Sequence, residues 1–341
     1  MNTNNTDMNT GMSETAQMAK VIEGYKYDGS RSNLSIINAY SASFKYWGRS
    51  YSHSPWLYGA IGLPFLFRVG DEVNSAPVLN ELPYSRMVAL LNNLGVRVQG
   101  ISETAEGAKL QQLRGQAWEA AKRAIAAGYP CFGRGFDFNY GETSVVQGYD
   151  ESAACYIISC WHDTKSVPAQ MLGERDGLID LHWMMPDGEP EDDVRTVREA
   201  LQLAVEFADG RLTGPGTRAG SAAYEHWTAK LRQGAVDGWF FAYHTHEWDT
   251  CRTNGLKFLQ KAKERLGEAA EDAIDDAILR FGRVRDLFHQ VYELFPWEQP
   301  RGLIEDTERR LQAAGLLDEA KQADAAAIES FRNVANVLQI D

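Results

Sequence analysis

The chain has 341 residues, of which 44% are hydrophobic and 24% charged, and it carries a net charge of −13 at pH 7. This composition is that of a globular protein, and the length predicts one large domain or two closely packed ones. Because nucleic acids and anionic membranes both repel an acidic surface, neither is expected as the main partner. The charge places no restriction on small ligands.

The beginning of the chain predicts no export signal. Residues 1–20 are polar and lack both a basic start and an apolar core, so we interpret them as a disordered tail. No run approaches the ~18 consecutive apolar residues of a transmembrane helix. The four cysteines have no metal-type spacing and predict free thiols in a reducing cytoplasm: Cys131, Cys155, Cys160 and Cys251.

The first structured segment predicts a helix over residues 32–47. Ser32 suits its N-cap, apolar residues follow at helical spacing, and Gly48 suits its C-cap. The next segment, "WLYGAIGLPFLFRVGDE", is too rich in Gly and Pro for a long helix and too apolar for an exposed loop. Two more helices are predicted in "SRMVALLNNLG" and "RGQAWEAAKRAIAAGYP", each ended by Gly.

The hydrophobic period then changes from helical to strand-like. "CFGRGFDF", "TSVVQGYD", "CYIISCW" and "LIDLHWMM" are short and rich in aromatic and β-branched residues. After the acidic turn "PDGEPEDD" the pattern is helical, with a long helix from about residue 268 to 295. This order indicates an α+β fold. We expect an α/β core with a small antiparallel sheet over 21–190, and a large helical region over 191–341 packed on it.

The cluster "YHTHEWDTCR" contains residues that could bind a metal. On a helix, however, His244 and His246 point about 200° apart and cannot chelate one ion. We therefore expect no metal there, and no motif in the chain predicts a cofactor.

The same helix carries His244, Trp248 and Arg252 on one face. A buried aromatic face is the simplest interpretation, but a guanidinium among aromatic rings needs an anionic partner. Two partners are expected for Arg252, either Glu142 or an acidic group of a ligand. The three residues are therefore candidate ligand-binding residues together with Glu142.

Several segments together resemble a known family. A helix ending in "YWG", the segment "WLYGAIGLPFLF", the strand with "VVQGYD" and the later "SAAYEHW" and "CRTNGLKFL" are similar to the C39-like group of papain-like proteins. That group includes the butirosin biosynthesis protein H type of acyltransferase. The resemblance covers roughly residues 25–265 and implies a papain-like core.

The resemblance also implies three positions for a catalytic triad. The cysteine position falls at Ser35, the histidine position at Glu142 and the third position at Ser159. Without a cysteine and a histidine there, thiol protease activity is not expected. A carboxylate of ordinary pKa is also a weak base for a serine hydroxyl, unless burial raises that pKa.

Three functions remain open from the sequence. The first is a catalytically degenerate papain-like protein that binds a small molecule, peptide or acyl group in secondary metabolism. The second is an acyl or aminoacyl transferase that uses Ser35 with Glu142, or less directly Cys251 or Cys160 near His244. The third is an interaction or scaffold protein. A carrier-bound acyl ligand and a homodimer are both compatible with the sequence. A structural role for Glu142, as an ion pair with Arg134, is the alternative to ligand binding.

Overall fold

A computed structural model describes most of the chain, namely residues 19–30, 32–49, 55–74, 82–136, 142–161, 163–299 and 301–339. Residues 1–18 of the predicted tail lie outside this range. Ala19 and Lys20, which were assigned to the tail from the sequence, instead belong to a short strand, because their backbones pair with Asp150 and Tyr149.

Along the chain, the described residues form helices before and after a run of strands. The helices are α1 (Ser35–Tyr46), α2 (Pro55–Ala60), α3 (Tyr84–Leu90), α4 (Gly107–Ala126), α5 (Asp193–Ala208), α6 (Gly220–Gln233), α7 (Gly238–Leu266), α8 (Glu271–Leu294) and α9 (Thr307–Val337). The predicted long helix near 268–295 is therefore confirmed as α8. No helix within the described ranges is both long enough and apolar enough to cross a membrane.

The strands form one seven-stranded antiparallel sheet and a separate two-stranded sheet. The strands are β1 (Ala19–Val21), β2 (Arg68–Gly70), β3 (Val96–Thr104), β4 (Cys131–Arg134), β5 (Ser144–Asp150), β6 (Cys155–Cys160), β7 (Asp163–Pro168), β8 (Leu178–Pro186) and β9 (Thr217–Ala219). The large sheet has the order β3-β8-β4-β5-β6-β7, and β1 also pairs with β5. The predicted mixed fold with an antiparallel sheet is confirmed.

Helix α1 packs against this sheet, as its apolar residues predicted. Tyr40 lies edge-on against Phe132 of β4, with ring centroids 5.1 Å apart. Tyr25 donates a hydrogen bond to the Cys131 carbonyl at 2.8 Å, and its hydroxyl lies 3.2 Å from that of Ser43 on α1. These contacts hold the middle and the last turns of α1 beside the central strands.

Two strands at the sheet edges were not predicted from the sequence. β3 pairs with β8 over nine residues, yet most of its residues are partly or fully exposed. β7 is also largely exposed and carries Asp163, Thr164, Lys165 and Ser166. A strand at the edge of a sheet can carry polar residues on both of its faces. The alternation of apolar and polar residues that marks a half-buried strand is therefore missing from β3 and from β7.

The helical region is joined to the earlier part of the chain by shared core contacts. β2 pairs with β9, which lies between α5 and α6. Trp56 of α2 and Phe65 both contact Phe258 of α7, with ring centroids 4.9 and 6.1 Å apart. The regions predicted as 21–190 and 191–341 therefore share one hydrophobic cluster.

Candidate functional site

Ser35 and Glu142, two of the three implied triad positions, lie in contact. Ser35 is the first residue of α1, and its Oγ accepts a hydrogen bond from the Thr143 backbone N–H at 3.0 Å. Its hydroxyl also hydrogen-bonds the Glu142 carboxylate, which stands just before β5. Ser35 is only 1% exposed, so its hydroxyl is occupied by these two neighbours.

Ser159, the third implied position, is bonded elsewhere. Its Oγ accepts a hydrogen bond from the Tyr27 backbone N–H at 3.3 Å and donates one to Oε1 of Gln147 at 3.3 Å. These contacts join the end of β6 to the segment before α1 and to β5. The structure thus places Ser159 in a supporting position for the two strands.

Two residues of α7 complete the site, and sequence reasoning missed both. The Tyr243 hydroxyl lies in hydrogen-bonding contact with the carboxyl groups of Glu142 and Glu247. Because Tyr243 and Glu247 are four residues apart, they share one face of the helix. Asp237 fixes the start of that helix by accepting hydrogen bonds from the N–H groups of Trp239 (2.8 Å) and Phe240 (3.2 Å). We call Ser35, Glu142, Tyr243 and Glu247 the acid cluster.

Burial controls the proton balance of the acid cluster. Burial and the nearby charge of Glu142 raise the pKa of Glu247 to about 8, although the Tyr243 hydrogen bond and the Arg68 charge oppose this rise. Burial also raises the pKa of Glu142, against the hydrogen bonds from Ser35 and Tyr243. Glu247 is 2% exposed, and its Oε2 finds no hydrogen-bond partner among the described residues.

One proton on Glu247 is enough to satisfy the hydrogen bonds between Tyr243 and the two glutamates of the acid cluster. A tyrosine hydroxyl has a single proton to donate, so Tyr243 cannot donate to two carboxylates at once. If Glu247 is protonated, it can donate to the Tyr243 oxygen while Tyr243 donates to Glu142. With a pKa of about 8, Glu247 is the residue that holds this proton at neutral pH, and it is the more buried of the two glutamates.

A groove of about 500 Å³ opens beside the acid cluster. It is bordered by the segment before α1, by α2, by the residue that follows β6 and by α7. Its described lining residues are Gly29, Ser30, Ser32, Asn33, Tyr58, Trp161, His246, Thr250 and Asn254. Ser32 and Asn33 precede Ser35, and His246 precedes Glu247, so the same elements hold both features. We refer to this feature as the groove.

His244, Trp248 and Arg252 occupy a different side of α7. They stand two residues before His246, Thr250 and Asn254, which corresponds to about 200° around a helix. Trp248 is 1% exposed and packs on Phe67 at 5.3 Å, whereas His244 lines a narrow crevice with Arg68 and Trp227. Of the four predicted ligand-binding residues, only Glu142 lies in the acid cluster.

Arg252 points inward, as the sequence predicted, and its charged neighbour among the described residues is Asp324 rather than Glu142. It is 0% exposed and donates a hydrogen bond to the Pro64 carbonyl. Its charge acts on Asp324 of α9, a residue that the sequence did not single out. Because α9 is far along the chain, helical spacing gave no sign of this neighbour.

The alternative considered for Glu142, an ion pair with Arg134, is not formed between these two described residues, because Arg134 pairs with Asp180. Arg134 of β4 donates from Nε to Oδ2 of Asp180 on β8 at 2.7 Å, and His182 Nε2 lies 3.0 Å from Oδ1 of Asp180. Burial acts to raise the pKa of Asp180, but the His182 hydrogen bond and the Arg134 charge outweigh it and lower that pKa to about 2. The register of β4 and β8 brings Arg134 and Asp180 together.

The cysteines are free thiols in the structure. Cys131, Cys160 and Cys251 are buried, and burial raises the pKa of Cys131 and of Cys251. A buried thiol of raised pKa is a poor nucleophile, because the thiolate is the reactive form. Cys160 lies near the acid cluster, with its Sγ 3.7 Å from the Thr143 carbonyl.

No family model matches the sequence, and no curated protein matches it significantly.

Proposed function

We propose that the protein binds a small molecule, peptide or acyl group in the groove, on a papain-like scaffold without thiol chemistry, in secondary metabolism. The observation that carries this proposal is the groove itself, which lies at the start of α1 beside the end of β6. The family resemblance implies a ligand cleft at this junction. The volume of the groove falls within the roughly 300–1,000 Å³ that small-molecule sites occupy.

The state of Ser35 favours binding over reaction. A nucleophile must approach the substrate carbonyl, but Ser35 is 1% exposed and its Oγ is hydrogen-bonded on two sides. The groove instead offers side chains from four parts of the chain, namely the segment before α1, α2, the residue after β6, and α7. We therefore place ligand binding first among the functions that the sequence left open.

Filling the groove should abolish ligand binding without unfolding the protein. Asn254 lines the groove from α7, so Asn254→Trp would occupy it with an indole. We expect small molecules that give saturation-transfer NMR signals with the wild type to give none with this variant. The screening set would contain amino acids, dipeptides, saccharides, nucleosides and short acyl esters.

Lys257→Trp is the matched control, because Lys257 lies on the same helix but is exposed and outside the groove lining. It should retain every signal. Signals that survive in Asn254→Trp, or an absence of signals from all classes with the wild type, would contradict binding in the groove.

Acyl transfer through Ser35 is the second candidate, favoured by the hydrogen bond between Ser35 and Glu142 and by the raised pKa of that carboxyl group. In such a step the Ser35 oxygen would attack an ester or thioester carbonyl while Glu142 accepts the serine proton. The alcohol or thiol of the substrate would leave and the acyl group would remain on Ser35. Burial makes Glu142 a stronger base than an exposed glutamate.

Incubation with p-nitrophenyl esters of short acids should leave Ser35 unmodified if the protein only binds. Peptide mapping by mass spectrometry measures this directly. An acyl group on Ser35 that forms equally after iodoacetamide treatment and disappears in Ser35→Ala would establish the transferase alternative. Peptide hydrolysis that iodoacetamide inhibits would instead show that a thiol acts after all.

A further inference from the structure

We infer that the groove binds a carbohydrate, that is, a neutral ring rich in hydroxyl groups with one apolar face. This inference rests on the proposed function, because it names the ligand class of the same groove.

The described part of the groove lining offers no fixed charge to a ligand. None of its described lining residues is an aspartate, glutamate, lysine or arginine. Burial lowers the pKa of His246, despite the opposing charges of Glu298 and Asp249, and so favours its neutral imidazole. A charged ligand would gain no opposite charge from these described residues as it loses water, so they favour an uncharged ligand.

The polar groups of the groove suit hydroxyl groups. Asn33 donates from Nδ2 to the His246 carbonyl at 3.3 Å, but its buried Oδ1 has no hydrogen-bond partner among the described residues. A ligand hydroxyl can donate to this oxygen and also accept from a neighbouring donor. An acyl chain would leave such buried polar atoms unpaired, which costs free energy.

Trp161 supplies a fixed aromatic surface. Its backbone has φ of 48°, a left-handed conformation that is rare for a bulky residue and is often found at functional sites. Tyr27 packs edge-on against the indole, with centroids 5.8 Å apart. A Cβ at Gly29 would lie 3.0 Å from Cε3 of Trp161, so glycine lets the backbone approach the indole closely without pressing against it.

These features together match the two faces of a sugar ring. The axial C–H groups of a pyranose form an apolar patch that stacks on an indole, and its hydroxyls pair with amide and hydroxyl side chains. Trp161 is partly exposed in the groove, and its position is fixed before a ligand arrives. Such preorganisation favours binding, because less conformational entropy is lost.

Titration with neutral saccharides tests the inference. The probes are glucose, galactose, mannose and N-acetylglucosamine, with their 1,4-linked disaccharides, and the readouts are saturation-transfer NMR and tryptophan fluorescence. We expect at least one saccharide to bind with little dependence on salt, since no ion pair is involved. Trp161→Ala should weaken this binding at least about tenfold, equivalent to ~1.4 kcal/mol. Trp161→Phe should retain part of the affinity, because a phenyl ring still stacks.

Trp297→Ala is the matched control, since Trp297 packs on Trp239 and Tyr243 outside the groove lining. It should bind the saccharide as the wild type does, and circular dichroism should show that all variants are folded. If only charged or acyl compounds bind, and Asn254→Trp abolishes their signals, the carbohydrate inference is overturned while the proposed function stands. If no compound of any class gives a signal that Asn254→Trp abolishes, both are overturned.

Discussion

Arg252→Met should destabilise the protein by roughly 3 kcal/mol or more, because it leaves Asp324 buried without its neighbouring positive charge. Arg252 is 0% exposed and Asp324 is 5% exposed. Burial raises the pKa of Asp324 to about 6, although the Arg252 charge and the nearby Tyr224 hydroxyl oppose this rise. Removing Arg252 removes one of the two opposing effects. Chemical denaturation followed by circular dichroism measures the loss.

The surroundings of Arg252 explain why the effect should be large. Its guanidinium carbon lies 5.1 Å from the ring centroid of Phe288 and 5.3 Å from that of Trp248. It donates a hydrogen bond to the Pro64 carbonyl, and its Nε and Nη2 find no hydrogen-bond partner among the described residues. The charge is therefore poorly solvated, and its interaction with Asp324 is weakly screened.

A double variant separates charge from packing. Replacing both members of a buried pair by apolar residues is often neutral, whereas removing one member is costly. We expect Arg252→Met with Asp324→Leu to be more stable than Arg252→Met alone. Arg280→Met, at an exposed ion pair with Asp276, should leave the melting temperature nearly unchanged. A single Arg252→Met variant as stable as the wild type would show that the pair contributes nothing.

The sequence predicted those parts of the fold that depend on local pattern. The apolar stripe of α1 and the alternation in β5 and β6 follow from neighbouring residues, and the structure contains all three. β3 was missed because its neighbours are partly exposed, so no apolar period marks it. Its pairing with β8 is set by contacts between residues about 80 positions apart in the chain.

In the candidate site, too, the sequence did not reveal contacts between residues far apart in the chain. Ser35 and Glu142 could be placed together because the family resemblance assigns both to one cleft. Glu247 was visible in the sequence beside His244 and His246, yet nothing local showed that it is buried against Glu142. Asp324 was equally hidden, because its role depends on how α9 packs against α7. Spacing in the sequence shows which face of a helix a residue occupies, but not which element covers that face.

The stability of the wild type should fall between about pH 4.5 and pH 8 because of Glu247, and Glu247→Gln should remove this part of the fall. In the unfolded chain Glu247 loses its proton near its ordinary pKa, whereas burial and Glu142 raise the pKa of Glu247 in the folded state from 4.5 to about 8. Between these values the folded state holds one more proton, so a rising pH favours unfolding. The rise corresponds to roughly 5 kcal/mol at ~1.4 kcal/mol for each pH unit.

Denaturation at a series of pH values tests this by the difference between the two proteins. The stability of Glu247→Gln relative to the wild type should increase steadily from pH 5 to about pH 8 and then level off. Glu142→Gln should reduce the increase, because the charge of Glu142 contributes to the raised pKa of Glu247. Glu319→Gln, at an exposed glutamate of α9, is the matched control and should show no comparable change with pH. A constant difference between Glu247→Gln and the wild type across this range would mean that Glu247 ionises freely in the folded protein. The acid cluster could not then hold its proton at neutral pH.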